Sequence, residues 1–216
     1  LFGVGFPIGV MLLVGFISKP ESILLGFGGI AAVGICATGF MGIPLSFAAY
    51  RHEKILKRFR VTPASPALLL MANAAMQCLF CWISACAVFL IARLAFGMDM
   101  AGTPARYIVS FLFVQFSVYG IGFLIAGLVP NLKTANLICT LVYFPTLFLS
   151  GATVPYEIMP RGLQVFSNIF PLTQGIKILK GAVLGSDPGE DLVRILVLGG
   201  IGVISYVIAL VSFRWE

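Results

Sequence analysis

Few side chains in this chain are equipped for chemistry, and most of those sit in surroundings that suppress it. Cys78 and Cys81 have the C-x-x-C spacing of a zinc or redox site, but the stretch MQCLFCWISAC around them offers neither further ligands nor an electropositive setting. With Cys36, Cys86 and Cys139 they make an odd set of five, all inside apolar runs, where a thiol behaves as a small buried hydrophobe and no disulfide framework is implied. The sole histidine, His52, has Glu53 beside it and no acidic cluster near it, so it reads as a solvated loop residue rather than a metal ligand or half of a catalytic dyad. No carboxylate pair and no nucleophile-base constellation is found. Nor is there a G-x-x-x-x-G-K-[ST] phosphate loop, or any Gly-Lys dipeptide, so the chain does not bind ATP by that mechanism.

The cationic residues are informative by their crowding. The formal net charge is +6, and Arg51, Lys54, Lys57, Arg58 and Arg60 fall within one short segment, Tyr50 to Pro66, reading YRHEKILKRFRVTPASP. The rest are scattered, which is a poor footprint for a nucleic-acid groove. Within the same segment Thr62-Pro63 and Ser65-Pro66 each set a capping oxygen before a proline suited to the first helical position, so a helix is expected to start near Pro66.

The elements that must hold this segment are membrane helices. Hydrophobic residues make up 60% of the 216-residue chain and charged ones 10%, far from the balance of a water-soluble domain. At about 20 apolar residues per crossing there is room for about six crossings and short connections. The uncharged runs place them at Leu1 to Ile17, Ile23 to Tyr50, Pro66 to Ala92, Tyr107 to Val129, Thr134 to Leu149 and Leu192 to Phe213. Leu1 lies inside an apolar run, so the sequence is expected to be a fragment or processed form with its first helix cut short at the N-terminus. Between the last two spans, Pro155, Pro160 and Pro171 punctuate a stretch in which Met159, Leu163, Phe166 and Phe170, then Leu172, Ile176, Leu179 and Val183, recur at helical spacing. That pattern predicts two short amphipathic helices that dip into or lie on the membrane, with Lys177 and Lys180 off the second apolar stripe.

Orientation follows from the dense basic loop, expected to stay cytoplasmic and to leave the amphipathic region outside. None of the spans has a central ionisable residue, which argues against a proton- or sodium-coupled transporter, a pump or a voltage sensor. Asn73, Gln77, Gln115 and Asn136 are the intramembrane amides, expected to bond across helices.

Here the chain resembles the ABC-2 family of permeases. The run Lys57-Arg58-Phe59-Arg60-Val61-Thr62-Pro63-Ala64-Ser65-Pro66 is similar to that family's coupling helix between the second and third crossings. The stretch Leu149-Ser150-Gly151, Val154-Pro155, Met159-Pro160, Pro171-Leu172-Thr173 and Gly181 to Gly185 is similar to its short re-entrant helices before the last crossing. One departure is Ile55-Leu56 after Lys54, where many members carry a glycine.

The resemblance implies an all-α integral membrane protein with residues 1–216 forming one transmembrane domain: six crossings, a cytoplasmic coupling helix and outer re-entrant helices. It implies the permease subunit of an ATP-driven exporter in the cell membrane, carrying drugs, antibiotics, lipids or lipid-linked molecules, with no ATPase site and no cofactor or metal of its own. ATP and Mg would be bound by a separate nucleotide-binding ATPase subunit. Glu53, Lys57, Arg58, Arg60, Thr62 and Pro63 would couple to it. A second copy, or a close homologue, would complete the pathway, and Gly5 and Gly9, one helical turn apart around Pro7, are the expected contact. Phe2, Phe6, Tyr143, Phe144, Thr146 and Phe148 are the expected lining of an apolar, aromatic pathway. A secondary transporter or channel is the alternative that the missing intramembrane charges disfavour, and a non-transporting membrane scaffold is the one the residues leave open.

Overall fold

The structure, a computed structural model, describes residues 2–17, 20–53, 66–153, 156 and 159–212. The expected coupling residues Lys57, Arg58, Arg60, Thr62 and Pro63 lie outside them, as do Val154-Pro155 and the Phe2 side chain. The described residues are helical throughout their ordered elements. They form α1 (Phe2–Ile17), then α2 (Pro20–Cys36), which runs through a π-helical turn (Ala37–Gly42) into α3 (Ile43–His52). After these come α4 (Pro66–Leu94), α5 (Pro104–Leu128), α6 (Leu132–Leu149), α7 (Arg161–Ser167), α8 (Pro171–Leu184), a 3-10 turn (Pro188–Asp191) and α9 (Leu192–Ser212).

Five of these stretches are long and apolar enough to cross a membrane: Ile23–His52, Met71–Leu94, Pro104–Leu128, Leu132–Leu149 and Leu192–Val211. A shorter apolar helix, Gly3–Ile17, accompanies them. The chain is thus an all-α, multi-pass membrane protein. The starts follow local chemistry: prolines open α5 and α8, and the Asn131 side chain accepts a hydrogen bond from the Thr134 amide at 2.8 Å to cap α6.

Burial shows which helix is central. In the continuous rod from α2 to α3, 83% of the most apolar window is buried, against 17% in α4, whose outer face carries Leu79, Ile83 and Leu90. α1 packs on α2 and α4, while α5 and α9 form the most extensive helix pair. α8 lodges against α2, α5 and α9 at the end away from His52, and its stripe Leu172, Ile176, Leu179 and Val183 is buried as its spacing predicts. It closes on Gly185, whose left-handed φ of 75° needs no Cβ, and whose amide returns to the Gly181 carbonyl. The Met159 stripe behaves differently: Met159 is buried, but Leu163 and Phe166 are exposed on the surface of the chain.

Candidate functional site

The π-helical turn is the one irregular place in the central rod, and its irregularity is visible bond by bond. The Ile43 amide reaches back five residues to the Thr38 carbonyl instead of four. Hydroxyls flank the widened turn: Thr38 Oγ1 donates to the Gly34 carbonyl at 2.8 Å, and Ser46 Oγ donates to the Gly42 carbonyl at 2.7 Å. Both occupy carbonyls one turn back, the pattern by which Ser and Thr bend helices. From α5, the Tyr119 hydroxyl donates to Thr38 Oγ1 at 2.9 Å, and Gln115 Nε2 donates to the Tyr119 oxygen at 3.2 Å. Gln115, Tyr119 and Thr38 are all buried, so this chain ties α5 to the turn through polar groups that would be costly there unpaired.

Backbone meets backbone beside that network. A Cβ on Gly122 would run into the Gly39 carbonyl oxygen, and one on Gly39 would lie 3.0 Å from Val118 Cγ1. The absence of side chains at Gly39 and Gly122 therefore permits the close approach of α5 to the turn, the usual source of helix association in lipid.

A cavity of about 480 Å³ opens at the turn, walled by Gly3 of α1, Thr38 and Gly42 of the turn, Ser46 of α3, Gln77 of α4 and Phe144 of α6. Gly42 makes room for the Gln77 amide, since a Cβ there would sit 2.6 Å from Oε1. The described lining holds no ionisable side chain. It is a mostly apolar cleft with two hydroxyls and an amide, suited to an uncharged or amphipathic molecule.

The expected lining residues divide between two faces of α6. Phe144 faces the cavity and stacks on Phe148 with ring centres 6.4 Å apart, and both are largely exposed. Tyr143 and Thr146 point the other way and are buried, with the Tyr143 ring set edge-on against Phe144 at 5.3 Å. Phe6 packs against the core from α1. A Cβ on either Gly5 or Gly9 would meet nothing within 4 Å, so both glycines face open space along α1.

Of the expected coupling residues the structure describes Glu53, which is exposed and ends α3 with its amide bonded to the Ala49 carbonyl at 2.9 Å. Next to it is a contact that no sequence pattern signals. Arg51 Nη1 donates to the carbonyls of Ala126 at 3.0 Å and Val129 at 2.5 Å, the unpaired oxygens where α5 ends. Arg51 had been counted with the basic segment; here it ties the rod to α5. Of the four intramembrane amides, Gln115 joins a network that crosses helices, whereas Asn73 is buried with its amide nitrogen unbonded among the described residues.

Residues 1–184 match the family model described as ABC-2 type transporter. The chain is 25% identical over 194 residues to the inner membrane transport permease YhhJ of Escherichia coli strain K12, a match covering 87% of this chain and 51% of that protein. It is 26% identical over 195 residues to nodulation protein J of Sinorhizobium fredii strain NBRC 101917 / NGR234, covering 88% of this chain and 71% of the relative. Over 149 residues it is 27% identical to the probable multidrug ABC transporter permease YbhR of Escherichia coli strain K12, covering 69% and 40%. The chain thus spans about half the length of YhhJ.

Proposed function

The chain belongs to the ABC-2 type transporter family, and from that premise we propose that it is the membrane-spanning permease subunit of an ATP-driven exporter that moves a hydrophobic or amphipathic substrate outward. The family implies an ABC ATPase as partner, and in this reading that subunit binds ATP and Mg while this chain binds neither. The observation that carries the reading is the family match over residues 1–184, which takes in both the basic segment and the helices α7 and α8. Two copies, or this chain and a close homologue, enclose the pathway.

The mechanism is a two-state one, in which closure of the ATPase pair moves the basic segment and rigid helices pass the motion on. Arg51 gives that motion two routes. One is the rod that carries it, and the other is α5, whose last carbonyls it holds. Motion along the rod reaches the π-helical turn, where the wide hydrogen-bond spacing makes a natural place to flex. The cleft there, with Phe144 in its wall and Phe148 stacked on that ring, is the proposed substrate route.

The test is at the ATPase contact. A Lys57→Glu, Arg58→Glu double variant is expected to insert normally, but to lose association with the ATPase or to hydrolyse ATP without transport. Normal ATP-driven transport by that variant would overturn the assignment of these residues.

A further inference from the structure

A second cavity, of about 360 Å³, lies at the end of the helices away from Arg51 and His52 and differs in kind from the cleft at the π-helical turn. Among the described residues three cationic side chains reach its wall, Lys177 and Lys180 from α8 and Arg194 from the first turn of α9, with the carboxylate of Asp191. That carboxylate is engaged. It is buried, Arg194 meets it at 2.5 Å, and Arg106 stands 3.8 Å away while donating to the Ser186 carbonyl. Lys177 is held by neutral groups instead, donating to Asn168 Oδ1 at 2.5 Å and sitting 4.1 Å from the centre of the Tyr156 ring. Neither neutralises its charge.

The residue that ends α6 adds a hydroxyl to the lining. Ser150 is 1% exposed, lines the cavity, and its Oγ has no hydrogen-bond partner among the described residues. A buried hydroxyl left unpaired is costly, and one lining the same cavity as lysines is placed to donate to an anion they attract. Leu25, Ile176 and Leu184 add apolar wall, and Val165 of α7 and Ile169 just after it are exposed. The volume is at the small end of ligand pockets, enough for a headgroup and the first carbons of its tails.

We propose that this cavity binds the phosphate headgroup of an anionic amphiphile, with its tails running along the apolar surface beside α7. Lys177 and Lys180 supply charge, Ser150 donates to a phosphate oxygen, and the Asp191 pairs fix Arg194 at the rim. The inference rests on the permease reading only in taking this end as the outer one, where a departing amphiphile would pause.

Binding is measured without the ATPase, so it can fail separately from transport. The full chain, delipidated in detergent, is titrated with phosphatidylglycerol or phosphatidylcholine and bound lipid is read by native mass spectrometry. Phosphatidylglycerol is expected to bind at least about tenfold more tightly than phosphatidylcholine. Lys177→Gln, Lys180→Gln should weaken it by about tenfold or more, Ser150→Ala by a few-fold, and Lys133→Gln at the other end not at all. Equal binding of the two lipids, or an unchanged titration in a double variant that unfolds at the parent temperature, overturns the site. Should the double variant not fold, Lys177→Gln alone with Ser150→Ala decides by the same criterion. Free glycerol 3-phosphate is expected to compete only at far higher concentration; competition at the lipid's own concentration would show that tails contribute nothing and would overturn the amphiphile. Lost transport with binding intact counts against the exporter reading and leaves this site standing.

Discussion

Tyr119 and Gly122, one turn apart on α5, both face the π-helical turn, the first through a hydrogen bond to Thr38 and the second through bare backbone against Gly39. The magnitudes differ. Interhelical hydrogen bonds in membranes average about 0.6 kcal/mol, whereas forcing methylenes into a packed contact costs about 1–3 kcal/mol. For a chain of this length each kcal/mol moves the unfolding midpoint by about 2–4 °C. Tyr119→Phe is therefore expected to lower the midpoint in detergent by about 1–3 °C, and Gly122→Leu by about 5 °C or more. Thermal unfolding with the two shifts equal or reversed would show that the polar chain, and not close packing, holds the turn. Neither role was legible in the sequence, because both depend on which residues of the π-helical turn and α5 meet. The same holds on α6, where helical spacing alone left Tyr143, Phe144, Thr146 and Phe148 equivalent until packing buried Tyr143 and Thr146 and exposed Phe144 and Phe148.

The elements were far more legible, for a simple reason: a run of about 20 uncharged apolar residues has few alternatives to a membrane helix. The expected span from Thr134 became Leu132–Leu149, and the one from Tyr107 became Pro104–Leu128, each extended to its own proline or cap. The π-helical turn was not legible, since Ala37–Gly42 is as apolar as its flanks and the extra residue leaves no mark on composition. The Met159 stripe shows what apolar spacing leaves open: in lipid an exposed Leu163 or Phe166 costs nothing, so spacing fixes a face without saying whether protein or lipid covers it. That ambiguity bears on α1, where Gly5 and Gly9 meet nothing in their own chain. Lipid gives little hydrophobic drive between helices, so small residues matter by letting backbones approach. If a second copy packs on this face, Gly5→Leu and Gly9→Leu are expected to lower the dimer fraction in detergent at limiting concentration, while Gly200→Leu on α9, where a Cβ also meets nothing within 4 Å, leaves it unchanged. A parental dimer fraction in the α1 variants, measured by sedimentation, would place the interface elsewhere.

Across the whole molecule the two ends carry different chemistry, joined by a middle without an ionisable side chain in its cleft. One end holds Arg51, where the basic segment begins, and its tie to α5. The other holds α7, α8 and the Lys177, Lys180, Arg194 cavity, and is closed by the Gly102 amide bonded to the Val183 carbonyl at 2.9 Å. Both ends are therefore cationic, and a total count of Lys and Arg does not orient the chain. The positive-inside rule weighs short connections most heavily, and the dense run from Arg51 to Arg60 is expected to fall in one, whereas Lys177 and Lys180 lie on a helix packed against three others. The expected orientation places His52 in the cytoplasm and Asp187 outside, and both side chains are exposed in the structure. In a background with all five cysteines replaced, His52→Cys should be shielded from an impermeant thiol reagent in intact cells and become reactive once they are opened, while Asp187→Cys should react from the start. The reverse labelling would invert the molecule, move the phosphate-binding cavity to the cytoplasmic leaflet, and put the basic segment beyond reach of any cytoplasmic ATPase.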